Sequence, residues 1–123
     1  MTAEELRKVS GGVIGHFTPK ERQINVENYL DKTKAGDNVI GLKVPAGRFV
    51  VGAYVKNQAN DLVGGNVGVK VGGTAVLAAG NVKGTGLMAI LAEPIFVAEA
   101  TDATLTVSAD LTKGNLTVGV IYA

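Results

Sequence analysis

Short apolar runs cut by glycine set the narrowest limits on what this chain can fold into. The stretch Val44–Asn57, VPAGRFVVGAYVKN, shows the pattern most fully. A Pro45-Ala46-Gly47 corner closes one apolar run. Phe49, Val50, Val51, Tyr54 and Val55 fill the next, a β-branched and aromatic composition that suits a pleated, half-buried strand. Glycine recurs between the runs downstream, 17 times in 123 residues. Hydrophobic residues make up 46% of the chain but aromatics only 5%, so the core must be built from Val, Ala, Leu and Ile. The length fits one domain that buries a core without disulfides or metal. The absence of cysteine excludes a disulfide scaffold and a thiolate nucleophile.

Taken in order, residues 1–38 differ from the rest. They carry 6 basic and 6 acidic side chains, whereas the following 85 residues carry 11 charges in all. Thr2 as N-cap and Glu5 three residues on predict a short helix over Ala3–Val9, stopped at Ser10-Gly11-Gly12. Val13–Phe17 is apolar. Arg22–Tyr29 reads as an edge strand with Ile24 and Val26 on one face, and Gly36 as the pivot of the next turn. Strands follow at Val39–Val44 and Phe49–Lys56, then a polar loop over Asn57–Gly65. Val67–Val71 and Thr74–Ala78 flank Gly72-Gly73, a hairpin signal. After the Gly80–Gly86 loop, Leu87–Leu91 and Ile95–Ala98 read as strand segments broken by Glu93-Pro94. Thr104–Ser108, with Leu105 and Val107 inward, and Leu116–Tyr122 form an expected closing hairpin.

Seven to nine strands at this spacing predict an all-β fold, an antiparallel β-sandwich or barrel. An extended N-terminal arm carries at most one short helix. The expected division is 1–38, arm and first edge strand, and 39–123, the sandwich.

Reactive chemistry is sparse. His16 is the one histidine, too few for a zinc site without cysteine. A nucleophilic triad would have to join it to Ser10 or Ser108, neither in a Gly-x-Ser-x-Gly elbow. Glu93, Glu99, Asp102 and Asp110 fall at strand ends or turns rather than as a facing pair. Asp61 and Asp102 lack EF-hand spacing. Gly80–Gly86 lacks the Lys-Ser/Thr of a phosphate loop, and a strand is expected after it. Asn115-Leu116-Thr117 matches a glycosylation tripeptide at a strand start. The net charge of +1 offers no field for nucleic acid. Met1–Lys8 is too polar for a secretory signal, and no apolar run is long enough for a membrane helix. The expectation is no enzyme, no cofactor, no nucleic acid and no membrane.

Phe49-Val50-Val51, Val76–Ala79 and Leu87–Leu91 are apolar on both faces. A small sandwich has limited room to hide them, so burial between subunits is expected, with an obligate homo-oligomer as the result; the alternative is a monomer whose outer strands carry small Ala and Gly. The run Val39–Tyr54 and the Ala109–Gly114 turn followed by Leu116–Tyr122 resemble short structural proteins of tailed bacteriophages. The resemblance covers about residues 39–123. It implies a jelly-roll-like sandwich that decorates or cements a capsid, with no catalytic residues. On that basis the expectation is a homotrimer on the outer capsid surface of the virion, made in the host cytoplasm, with the major capsid protein as partner. Leu6, Val9, Val13, Ile14 and Phe17 of the arm are the expected partner contacts. The main alternative is a receptor- or carbohydrate-binding module of a phage fibre or head appendage. Against it stand the absence of Trp and the expected burial of Phe49, Tyr54 and Phe96. A cupin- or dUTPase-like enzyme lacks the His cluster or acidic motif it would need.

Overall fold

The computed structural model of the protein describes residues 17–57, 62–82 and 86–123. The helix expected over Ala3–Val9 lies outside these residues. Eight strands are described: β1 (Thr18–Asn25), β2 (Gly36–Val44), β3 (Arg48–Asn57), β4 (Val67–Val71), β5 (Thr74–Gly80), β6 (Gly86–Val97), β7 (Thr101–Val107) and β8 (Asn115–Tyr122). They form two four-stranded sheets, the first in the order β1-β8-β3-β6 and the second β2-β7-β4-β5. Every neighbouring pair is antiparallel. The first strand pairs with the last, the second with the seventh, the third with the sixth and the fourth with the fifth. This nesting is the jelly roll, so the expected fold class holds.

Local chemistry explains the corners. Gly72 and Gly73 both have positive φ, 58° and 80°, the geometry of a tight two-residue hairpin turn that glycine allows without strain. Pro45-Ala46-Gly47 carries the chain from one sheet to the other, with the Gly47 N–H donating to the Val97 carbonyl at 2.7 Å. The Asn25 side chain accepts from the Asn28 N–H and caps a 3-10 turn at Val26–Asn28. The first edge strand therefore ends at Asn25, earlier than the expected Tyr29, and Val26 is buried from a turn rather than from a strand.

The expected closing hairpin is corrected. β7 pairs with β2 and β4, and β8 pairs with β1 and β3. The two lie in opposite sheets because alternation says which side chains face inward and nothing about which sheet supplies the neighbour. Leu87–Leu91 and Ile95 onward are one strand, β6. Its pairing with β3 slips between Val50↔Ile95 and Gly52↔Ile90, so residues 91–94 bulge opposite Val51. Pro94 is tolerated there because a bulge needs no ladder hydrogen bond from it.

The two inner faces meet in one core. Ile24, Val50, Ala53, Val55, Leu116, Val118 and Val120 come from the first sheet, and Ile40, Leu42, Val44, Val67, Val69, Leu105 and Val107 from the second. All are essentially inaccessible to water.

Candidate interaction surface

With the inner faces spent on the core, the outer faces distinguish the sheets. Residues paired across antiparallel strands share a face. On the first sheet this gives rows Phe49–Phe96, then Pro19–Ile121–Gly52–Ile90, then Glu21–Gly119–Tyr54–Met88, then Gln23–Thr117–Lys56–Gly86. Three of these rows are largely apolar. Met88, Ile90 and Phe96 are 64%, 65% and 57% exposed. Phe96 was expected inside the fold and is not: its partner Phe49 lies on the outer face, with the ring centroids 5.1 Å apart.

Two central glycines flatten this surface. The Tyr54 ring lies across Gly119, where an added Cβ would fall 2.2 Å from a ring carbon. The ring buries itself on the outer face and donates its hydroxyl hydrogen to the Glu21 carboxylate on β1. Burial first, then that hydrogen bond and the carboxylate charge, push the Tyr54 hydroxyl pKa well above the phenolic range. The Lys56 ammonium sits 5.2 Å from the centre of the same ring, a cation–π contact. Ile90 bends over Gly52 in the same way, its terminal methyl 2.9 Å from where a Cβ would stand. A shallow depression beside Tyr54, lined by Lys56, Leu87 and Met88, opens onto this face.

The flanks differ as well. On one, Lys20 and Arg22 of β1 point toward the second sheet. The Lys20 ammonium donates to the Lys43 carbonyl at 2.9 Å. The Arg22 guanidinium covers Gly41 and lies 5.5 Å from the Tyr29 ring centre. Inward-pointing charges and Pro19 make β1 a poor template for another strand. On the other flank, Leu87 of β6 packs on Gly80 of β5. β6 is a 12-residue edge strand that displays Met88, Ile90 and Phe96, and such an edge is a contact site unless something covers it.

Among the described residues weighed for catalysis, Ser108, Asp102 and Asp110 serve structural contacts. His16, Ser10 and Asp61 lie outside the described residues. The Ser108 hydroxyl accepts from the Asn66 N–H at 2.7 Å, and Asp110 accepts from the Ala35 N–H at 2.7 Å, so both tie down loops. Asp102 pairs with Lys43 on the second sheet, at the opposite end of β7 from Asp110. Gly86 opens a strand, as expected, and not a phosphate-binding helix. Among the described residues no three His, Cys, Asp or Glu side chains cluster for a metal. Of the expected arm contacts, Leu6, Val9, Val13 and Ile14 lie outside the described residues, and Phe17 is exposed beside β1. Sequence reading missed the Phe49–Phe96 pair and the Tyr54–Gly119 overlay. The signal available was Phe96 one residue from Val97 on a strand with alternating burial.

No protein-family model matches the chain, and no curated protein sequence matches it. Solved structures of the same fold do. A chain of the cyanophage Pam1 capsid asymmetric unit superposes with TM-score 0.58 at 17% identity, covering 87% of this chain and 84% of that one. A chain of the capsid of Ralstonia phage GP4 gives 0.54 at 15%, covering 89% and 84%. A chain of the acid-stable capsid of Helicobacter pylori bacteriophage KHP30 gives 0.55 at 12%, covering 89% of each. At these identities the likeness is one of fold.

Proposed function

We propose that the protein is a non-enzymatic structural component of a bacteriophage virion. It decorates or cements the outer capsid surface as a homotrimer, after synthesis in the host cytoplasm. The observation that carries this reading is the flat apolar outer face of the first sheet, on a fold shared with chains of three phage capsids. A surface of that kind works by contact: burying it between neighbouring shell subunits favours the assembled state by mass action. The arm residues Leu6, Val9, Val13, Ile14 and Phe17 add contacts to the major capsid protein.

The test is co-sedimentation of the purified protein with shells of the phage that carries its gene, followed by imaging and heat challenge. Density at three-fold positions and a raised disruption temperature support the proposal. Failure to bind shells at micromolar protein overturns it. One observation favours a second reading. Phe96 is exposed at the rim of a cleft of about 440 Å³ that also includes Glu99 and Thr101, and an exposed ring beside polar groups suits a sugar. A glycan array with saturable hits abolished by Phe96→Ala would favour the carbohydrate-binding alternative.

A further inference from the structure

We infer that copies of this chain associate through the flank formed by β5 and β6, the free edge of β6 in one copy lying against the free edge of β5 in the next. The flank is then the three-fold contact of the homotrimer proposed above, and its assignment rests on that reading. Among the described residues β6 ends the first sheet and β5 ends the second. Leu87 packed on Gly80 puts the two edges on one flank. Val76–Ala79 and Leu87–Leu91, two of the runs apolar on both faces, therefore come to lie side by side. The opposite flank, β1 and β2, carries Lys20, Glu21, Arg22, Asp37 and Lys43, whereas β5 and β6 together carry Glu93 alone. Edge strands are ordinarily defended by charge, proline or a bulge. β6 has its bulge and Pro94 beyond Ile90, so Gly86–Ile90 remains a regular, uncharged edge.

The core is open on the same side. Leu87, Ala89, Leu91 and Ile95 pack against it yet are only partly buried. Ala53 and Val55, across from Ala89 and Leu87 on β3, are inaccessible to water. A strand laid along β6 completes the missing cover, and the chain itself supplies a complementary one. The exposed positions of β5 are small, Thr74, Ala75, Ala78 and Ala79. Those along the regular part of β6 include Met88 and Ile90, beside half-buried Leu87 and Leu91. Large against small is how facing rows interdigitate. Both rows sit on one flank, so a rotation about an axis along that flank satisfies every copy and closes the assembly rather than growing a filament. Size agrees. About 30 Å of edge by about 20 Å of sandwich thickness gives roughly 600 Å² of projected area. Side-chain relief raises the accessible area toward the roughly 800 Å² per partner of a stable interface. The outer face of the first sheet stays available to the shell.

The test is the mass of the full-length protein alone, by light scattering over a micromolar dilution series. The parent is expected at the mass of three chains. Ala78→Asp/Ala92→Asp sets like charges on both edges at exposed positions and should weaken association by at least roughly tenfold. Ala78→Lys/Ala92→Asp, with opposite charges across the same contact, should associate more tightly than the like-charged variant. Val39→Asp, exposed on the outer face of the second sheet, should keep the parent's mass. All these positions are exposed, so urea midpoints should match the parent's. Hydrogen exchange reads the contact without substitution: amides of Gly86–Ile90 should exchange more slowly in the associated parent than after dilution. A parent trimer unmoved by the like-charged variant, or β6 amides that exchange alike in both states, overturns the flank assignment and leaves the homotrimer standing. A parent of single-chain mass overturns both. Shell binding is read separately, by co-sedimentation.

Discussion

On the second sheet, Lys70 bonds Asp37 at 3.1 Å and the Thr106 hydroxyl bonds the same carboxylate at 3.0 Å, a polar chain across three strands of the outer face. The corresponding surface of the first sheet carries Phe49, Ile121, Ile90 and Met88, with Tyr54 laid flat over Gly119. Both sheets present the same kind of Val- and Leu-rich inner face to the core. Where alternation is normal, one face is dry and the other wet. The second sheet obeys this and the first does not. The difference puts the apolar outer face on the first sheet and not on the second.

The largest expected effects test the half of the comparison that says the insides are equal. Leu116→Ala in the first sheet and Leu105→Ala in the second should each lower stability by about 2–5 kcal/mol, through lost burial and a residual cavity. Urea unfolding reads this. A cost on one sheet several times that on the other would break the symmetry.

Next comes Gly119. Gly119→Ala forces the Tyr54 ring off its seat and should cost about 1–3 kcal/mol. In a Tyr54→Ala background the same substitution should cost almost nothing, giving a coupling of more than about 1 kcal/mol in the double-mutant cycle. Additive costs would mean that the ring does not hold that position.

The outer faces themselves are the next contrast. Met88→Ser/Ile90→Ser should leave fold stability within about 0.5 kcal/mol per site. The same variant should weaken shell binding by about tenfold or more, the equivalent of roughly 1.4 kcal/mol. Val39→Ser on the second sheet should change neither. Equal losses from the two variants would erase the distinction between the faces.

The smallest effects lie at opposite ends of the pH scale. Hydrogen bonds from Lys70 and Thr106 hold the Asp37 carboxyl below its ordinary 3.8. Its folded pKa is depressed, so its contribution is present above pH 3.8 and is lost as pH falls through the lowered value. Being exposed, it should shrink further in high salt. The Tyr54 hydroxyl is raised above its ordinary 10.0. Its contribution is full below pH 10 and falls as pH rises beyond it, because the unfolded chain ionises first. Melting curves of Asp37→Asn and Tyr54→Phe against the parent should each flatten one limb, acid for the first and alkaline for the second. A variant that flattens the wrong limb contradicts the assignment.

Much of this was legible in residues. The Gly72-Gly73 pair announced a hairpin, Pro45-Ala46-Gly47 a corner, and Thr104–Ser108 its inward Leu105 and Val107. The apolar surplus of Leu87–Leu91 announced a strand with no wet face. What could not be read was pairing at a distance. β7 and β8 look like hairpin partners because they are adjacent in sequence, yet each finds its neighbours in strands more than thirty residues away or at the other end of the chain. Phe96 looked like core for a related reason: periodicity divides a strand into two faces without saying which one meets the other sheet.

The order of residues alone settled that this chain makes short strands, where they turn, and which side chains can share a face, because backbone conformation and the two-residue repeat are local properties. Only the folded arrangement decided that the first strand lies beside the last and that Met88, Ile90 and Phe96 stand outside. It also placed the Tyr54 ring over Gly119. Those outcomes depend on burying two inner faces against each other at once, and that balance is struck between parts of the chain far apart in sequence.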